Sequence, residues 1–413
     1  MKLKVLFYIS KNGSNIEYIT EFLKYLICFD GLDILILFDS EKNYNNMISI
    51  NKDLKLHVKF LIKDEVFLLD SENIRSIFND YKIELFLFFN GQMTVSRSKP
   101  LVEIYKYTQY KNIKFYWINR MFLKDRYCIY SDIYFNNLDI DLSYKSTTYQ
   151  KIDENRKIEL NKYIEKYWIF KDSIHENLFK KIESTIKFSL LEVLRKLKQF
   201  KNKNNKIYND KIEDNKPYVL LLLPKENHWF NTYANKDFLN LEKIVQYCHS
   251  VVSAHGLNLI VKRHPRERSI EFSNDILKNK ILIYEGDLSQ AVKNSEIVIF
   301  TGTTSGLESL LLGKKVIQLG KYSSLPLKSE KNLPLNIVEK LSDLKQEFNQ
   351  VFLKQNFDKY KLIILLDAIF KNSNHFNNSE EDNDYQIHTT RPIENMKDVA
   401  LFLKNQISRD FTE

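Results

Sequence analysis

In the second half of the chain, short apolar runs alternate with amphipathic ones, and that alternation constrains the fold more than any other feature. Tyr218 to Leu223, Leu257 to Lys262, Ile281 to Tyr284, Ile297 to Phe300 and Lys315 to Leu319 read as buried strands. The stretches between them, Asp237 to about Ala254, Ser269 to Leu277, Leu288 to Asn294 and Ser305 to Leu312, carry helical spacing. Strands separated by helices assemble into a parallel sheet covered on both faces.

The first half opens in the same way. Lys4 to Tyr8 is a strand, Lys11-Asn12-Gly13-Ser14 a turn, Ile16 to Ile27 a helix and Leu32 to Phe38 a second strand. Further strands are predicted at Leu56 to Ile62, Ile83 to Phe89 and Ile113 to Ile118, with helices between Glu72 and Asp80 and between Pro100 and Tyr110. A chain of 413 residues suits two such cores. The expected division is a Rossmann-like domain over 1–150, a helical segment and linker over 151–216, a second Rossmann-like domain over 217–371, and an acidic excursion with a final helix over 372–413. The helical segment includes Ser173 to Phe200, the polar linker runs from Lys201 to Lys216, and the last helix spans Asn395 to about Ser408.

Hydrophobic residues make up 44% of the chain, which excludes general disorder. Cys28, Cys128 and Cys248 lie far apart without CxxC spacing, so neither a disulfide framework nor a zinc site is expected, and a reducing compartment fits. The amino terminus lacks a signal-peptide pattern, and no apolar run approaches the ~20 residues of a membrane span. A cytoplasmic protein is expected.

Net charge is +9, and residues 1–216 carry most of it, with 37 basic and 29 acidic side chains against 25 and 24 in residues 217–413. Such a surplus favours an anionic partner, whether an acidic glycan, a phospholipid face or nucleic acid; an anionic glycan or lipid-linked acceptor, with contact at the inner face of a membrane, is the expected partner. Solvated lysines on helices would give the same count. Nucleic-acid motifs are absent, so no nucleic acid is expected as partner.

Five of the nine glycines, Gly286, Gly302, Gly306, Gly313 and Gly320, fall close together. In Thr301-Gly302-Thr303-Thr304-Ser305-Gly306 an apolar strand ends in a turn that opens a helix, leaving amides and hydroxyls at the carboxyl edge of the sheet, where a phosphate can bind. An ordinary helix cap would use the same residues. Glu308, in the first turn, could reach a ribose hydroxyl or simply offset the helix dipole.

A second motif, Lys262-Arg263-His264-Pro265, also ends a strand, and Pro265 restrains the backbone beside an imidazole able to donate to a phosphate or leaving-group oxygen. The loop Pro224 to Asn231 follows the first strand of the same series and offers Glu226 and His228 as acid/base or acceptor-binding groups. Asp139 and Asp141 have the DxD spacing of metal-dependent transferases but sit in a polar stretch and read as solvated surface. P-loop, GxSxG, HExxH and GxGxxG patterns are absent.

The order His264-Pro265, the Gly/Thr/Ser turn, then Gly313-Lys314-Lys315 and Gly320 resembles the carboxyl-terminal domain of bacterial capsular polysaccharide synthesis glycosyltransferases, and a similar His-Pro and Ser/Thr arrangement occurs in bacterial sialyltransferases. Asn90-Gly91-Gln92, the strand Phe115 to Ile118 and Asp132 before Asn136-Asn137 extend the likeness into the first half. The resemblance implies a GT-B-like α/β fold, two Rossmann-like domains with a cleft between them, and a metal-independent enzyme that uses a nucleotide sugar and no other cofactor. It implies that His264 contacts the donor phosphate, that Gly302, Thr303, Thr304, Ser305 and Gly306 hold the nucleotide, and that Lys262 and Arg263 flank the charge; Asn90 and Gly91, with His228 from its loop position, are expected to face the acceptor. CMP-activated Kdo or sialic acid is the first-choice donor, with inversion at the sugar. Related proteins often place a Glu where this chain has Asn119-Arg120, which leaves Glu226, Asp125 and Asp132 as candidate bases. A polyol-phosphate transferase of the teichoic-acid type and a non-catalytic glycan-assembly scaffold with a transferase fold are the alternatives.

Overall fold

The computed structural model of the chain describes residues 2–9, 16–38, 40–57, 59–62, 71–89, 95–120, 126–130, 147–165, 208–209, 216–224, 236–264, 281–320, 333–353, 357–371, 374–375 and 396–412. Six strands come from the first part of the chain: β1 (Leu3–Ile9), β2 (Leu32–Phe38), β3 (Lys59–Ile62), β4 (Leu85–Phe89), β5 (Lys114–Arg120) and β6 (Arg126–Tyr130). Seven follow: β7 (Tyr208–Asn209), β8 (Tyr218–Leu222), β9 (Asn258–Lys262), β10 (Leu282–Tyr284), β11 (Ile297–Phe300), β12 (Lys315–Leu319) and β13 (Asn336–Val338). The last is β14 (Asn374–His375).

They form two sheets, ordered β14-β6-β5-β4-β1-β2-β3 and β13-β12-β11-β8-β9-β10-β7. The second is parallel throughout; the first is parallel from β3 to β5 and ends with antiparallel β6 and β14. Each sheet grows from its first long strand in one direction through two more, then resumes on the other side of that strand. This is the Rossmann order. It puts the reversal between β1 and β4 in one sheet and between β8 and β11 in the other.

Strands β4, β8 and β11 are buried along their whole length, as strands covered on both faces must be. In the second sheet, Val219, Leu221, Ile299 and Ile317 pack with helices Leu241–Ser253 and Leu344–Leu353, while Leu220, Leu222, Val298 and Phe300 face a different cluster. That cluster runs through Ile152, Leu160 and Leu365 to Phe86 and Trp117 of the first sheet. Helix Lys359–Lys371 is apolar on nearly every side, and its Asp367 carboxylate is fully buried, paired with Arg156 at 3.4 Å and Lys371 at 2.7 Å.

The final helix, Met396–Thr412, joins the core of the first sheet although it follows the second in sequence. Met396, Val399, Ala400, Leu403 and Ile407 pack among Val5, Phe7, Ile19, Phe22 and Leu26. Asp410 accepts a hydrogen bond from the Tyr116 hydroxyl, and the Lys404 ammonium lies 4.8 Å above the Phe29 ring.

Several elements differ from expectation. Residues Leu56 to Ile62 split into a helical turn, Leu54–His57, and the strand β3. Tyr208–Asn209, within the expected linker, adds an edge strand beside β10. Helices Glu41–Ile50, Leu344–Leu353 and Lys359–Lys371 and strands β6 and β13 have no counterpart in the sequence reading. The helix expected over Ser173 to Phe200 lies outside the described residues, as does most of Asn372 to Asp384. Cys248 is buried in helix Leu241–Ser253, and burial pushes its thiol up to about 12, which makes it inert. Among the described residues no helix is long and apolar enough to cross a membrane.

Candidate functional site

Register decides how the two motifs of the second sheet relate. Gln318, Phe300, Leu222, Lys262 and Tyr284 pair in one continuous row across β12, β11, β8, β9 and β10. One position further out stand Thr301, Leu223, Arg263 and Glu285, and the Leu223 amide still donates to the Lys262 carbonyl at 3.0 Å. The next positions are Gly302, Pro224, His264 and Gly286. Gly302 and His264 thus each follow, by two residues, a member of this row, on the strands that flank β8. Those two strands, β11 and β9, lie two strand spacings apart, about 10 Å.

The Gly/Thr/Ser turn is shaped by two glycines. Gly302 takes φ of 57°, a left-handed conformation that turns the chain off β11. Gly306 packs so tightly that a Cβ there would fall 2.0 Å from the Phe300 ring. Phe300 is fully buried and has nowhere to retreat. Gly306→Ala is therefore expected to lower stability by about 1–3 kcal/mol and to displace the turn; melting curves of the two chains check it.

Thr303 occupies the cap position in extended conformation without a side-chain cap bond, and helix Thr304–Glu308 continues as a tighter turn, Ser309–Leu312. The expected helix Ser305 to Leu312 is present but changes winding after five residues, where the Ser309 hydroxyl donates to the Ser305 carbonyl at 2.8 Å. The start of any helix leaves its first amides without intrahelical acceptors. Thr301 is fully buried and Glu308 nearly so, while Thr303 and Ser305 are half-buried and Thr304 is exposed.

On the other arm His264 is half-buried, and Lys262 and Arg263 are buried. Consecutive residues alternate faces in a strand. The Lys262 ammonium donates to the Gly286 carbonyl and sits 5.0 Å over the Tyr284 ring, while the Arg263 guanidinium pairs with the Glu285 carboxylate. Sequence reasoning did not single out Glu285, whose only local signal is its place beside a glycine at the end of an apolar run.

The structure thus brings together Lys262, Arg263, His264, Gly302, Thr303, Thr304, Ser305, Gly306 and Glu308 along one sheet edge. Pro265, Glu226, His228, Asn90, Gly91, Asp125 and Asp132 lie outside the described residues. In the chain, Glu226 and His228 follow β8, Asn90 and Gly91 follow β4, and Asp125 and Asp132 flank β6. No group of three or more potential metal ligands occurs among the described residues.

One chain carries two sheets, each in Rossmann order and each with its own reversal point. The architecture is GT-B-like. No protein-family description matches the sequence, and no curated protein does. Among solved structures the chain is similar to the beta Kdo 2,7 transferase of Thermosulfurimonas dismutans KpsC, with 10% identity and a TM-score of 0.46 over 91% of this chain and 99% of that one. It is similar to a glycosyltransferase from Rickettsia africae, with 14% identity and a TM-score of 0.33 over 98% of each chain. A third similarity is to UDP-GlcNAc 2-epimerase from Neisseria meningitidis bound to UDP-GlcNAc, with 11% identity and a TM-score of 0.34 over 98% of this chain and 100% of that one.

Proposed function

We propose that the chain is a metal-independent, inverting glycosyltransferase whose nucleotide-sugar donor binds at the carboxyl edge of the second sheet. The observation that carries this reading is the shared row: Phe300, Leu222 and Lys262 pair across β11, β8 and β9, so the Gly/Thr/Ser turn and His264 both follow strands that flank β8 at the reversal point, where open α/β sheets take their ligands.

On this reading the imidazole of His264 donates from one side, and the hydroxyls and first amides of Thr303 to Ser305 donate from the other. These donors stabilise the charge that develops on the departing nucleotide, without a metal. A carboxylate, for which Glu226, Asp125 and Asp132 are the candidates, takes the proton from the acceptor hydroxyl as the sugar bond forms. The donor proposed first is CMP-activated Kdo or sialic acid, in keeping with the His-Pro and Ser/Thr resemblance.

The acceptor is proposed to be an anionic or lipid-linked glycan met in the cytoplasm at the inner face of the membrane. The basic surplus is concentrated outside the described residues: 166–207 hold 11 basic and 4 acidic side chains. Polybasic segments of that kind are attracted to anionic surfaces.

Melting the purified protein with CMP, CDP, UDP or GDP tests the donor assignment. CMP is expected to raise the melting point most, because a ligand that binds only the folded state stabilises it in proportion to its saturation. A larger shift with UDP or GDP replaces the donor, and no shift with any nucleotide removes the reading. Product analysis completes the test: a phosphodiester linkage assigns the chain to polyol-phosphate transfer, and nucleotide binding without turnover assigns it to a scaffold.

A further inference from the structure

We infer that Glu285 is a positioning residue of the donor site, acting through Arg263 to hold His264 in place; the inference rests on the donor site proposed above. Arg263 immediately precedes His264, and its side chain is only 7% exposed. A buried guanidinium needs an anion beside it, since an unpaired charge away from water destabilises whatever segment carries it. Glu285 supplies that anion from the adjacent strand end, one position beyond the last paired residues, Lys262 and Tyr284.

The turn that carries Glu285 is anchored at three successive residues. Glu285 pairs with Arg263, the Gly286 carbonyl accepts from the Lys262 ammonium, and the Asp287 side chain accepts the Gln290 amide at 2.8 Å as cap of helix Leu288–Lys293. Two successive cations at the end of β9 thus hold two successive residues of the turn. The end of β9 is thereby tied to β10 at the level where His264 emerges. A supporting ion pair of this kind fixes the residue that touches the ligand, as the partners of metal-ligating histidines do, whose loss typically costs about 10- to 100-fold.

The sign of the effect separates positioning from simple electrostatics. Glu285→Gln removes a negative charge near the place of an anionic donor, so Coulomb interaction alone would tighten binding. Positioning instead makes binding of the best nucleotide weaker, by about tenfold. In an Arg263→Ala background the same substitution should then add no further loss, because the route through Arg263 is already cut.

The experiment measures nucleotide affinity for the full chain and for E285Q, R263A and R263A/E285Q, with the melting point of each unliganded protein as the control for folding. Glu285→Asp, which keeps the charge on a shorter stem, should give an intermediate loss, and it serves in place of E285Q if that variant does not fold. Unchanged or tighter binding by E285Q overturns the inference and leaves the donor site standing. Losses that multiply in the double variant also overturn it, since Glu285 would then act on the nucleotide independently of Arg263. If the unsubstituted chain binds none of the nucleotides, both the inference and the functional reading fall.

Discussion

Ending the chain after residue 395 is expected to unfold the first sheet. The helix removed, Met396–Thr412, contributes Met396, Val399, Ala400, Leu403 and Ile407 to the core around β1 and β2, and none of the five is more than 7% exposed. Burying a side chain such as Met, Val, Leu or Ile is worth roughly 1.5–3 kcal/mol, so the four larger ones total about 6–12 kcal/mol as an upper estimate. A domain is stable by only about 5–15 kcal/mol in all. The loss also bares the inner face of helix Ile16–Leu26 and removes Asp410, which accepts a hydrogen bond from the Tyr116 hydroxyl. The core made by helices Leu241–Ser253 and Leu344–Leu353 contains no residue of the last helix. Limited proteolysis of the shortened chain should therefore cut first within residues 16–120 while the second sheet persists. A shortened chain whose melting curve matches the complete one would show that the first core closes without the helix.

His264→Ala is expected to lower kcat by about 10²- to 10⁴-fold while leaving the melting point nearly unchanged. The residue is half-buried just past the end of β9 and outside the three hydrophobic clusters, so its truncation opens no cavity in them. Its proposed work lies in donating to the leaving phosphate, which matters most as charge develops there. A fall in kcat with KM for the donor little altered is the expected split. Activity of the variant within a few-fold of the unsubstituted enzyme would move the catalytic role elsewhere, and loss of folding would mean that the imidazole serves the core instead.

Much of this was legible before the structure. Apolar runs such as Tyr218 to Leu222 and Ile297 to Phe300 mark strands buried on both faces, because only a strand covered by helices on two sides excludes polar residues at successive positions. The Gly/Thr/Ser turn and His264 were recognisable because both follow such runs, and strand ends are where an α/β sheet presents its ligand groups. Helix Lys359–Lys371 escaped notice for the opposite reason: an element apolar all round has no polar face to give its period away. Strand β13, three residues long, is too short to show a period at all.

What the sequence by itself determined was the identity of the periodic elements, such as β8, β9 and β11, and of the residues at their ends, since hydrophobic period is a local property. Which strand lies beside which was decided only in three dimensions, and with it the alignment of Phe300, Leu222 and Lys262 that brings the segments carrying His264 and Gly302 out on either side of β8. The same holds for the return of Met396–Thr412 to the first core and for the pairing of Arg263 with Glu285. These contacts join residues far apart in the chain, and they form because a buried charge must find its counter-charge and an apolar face its cover, wherever along the sequence the partner stands.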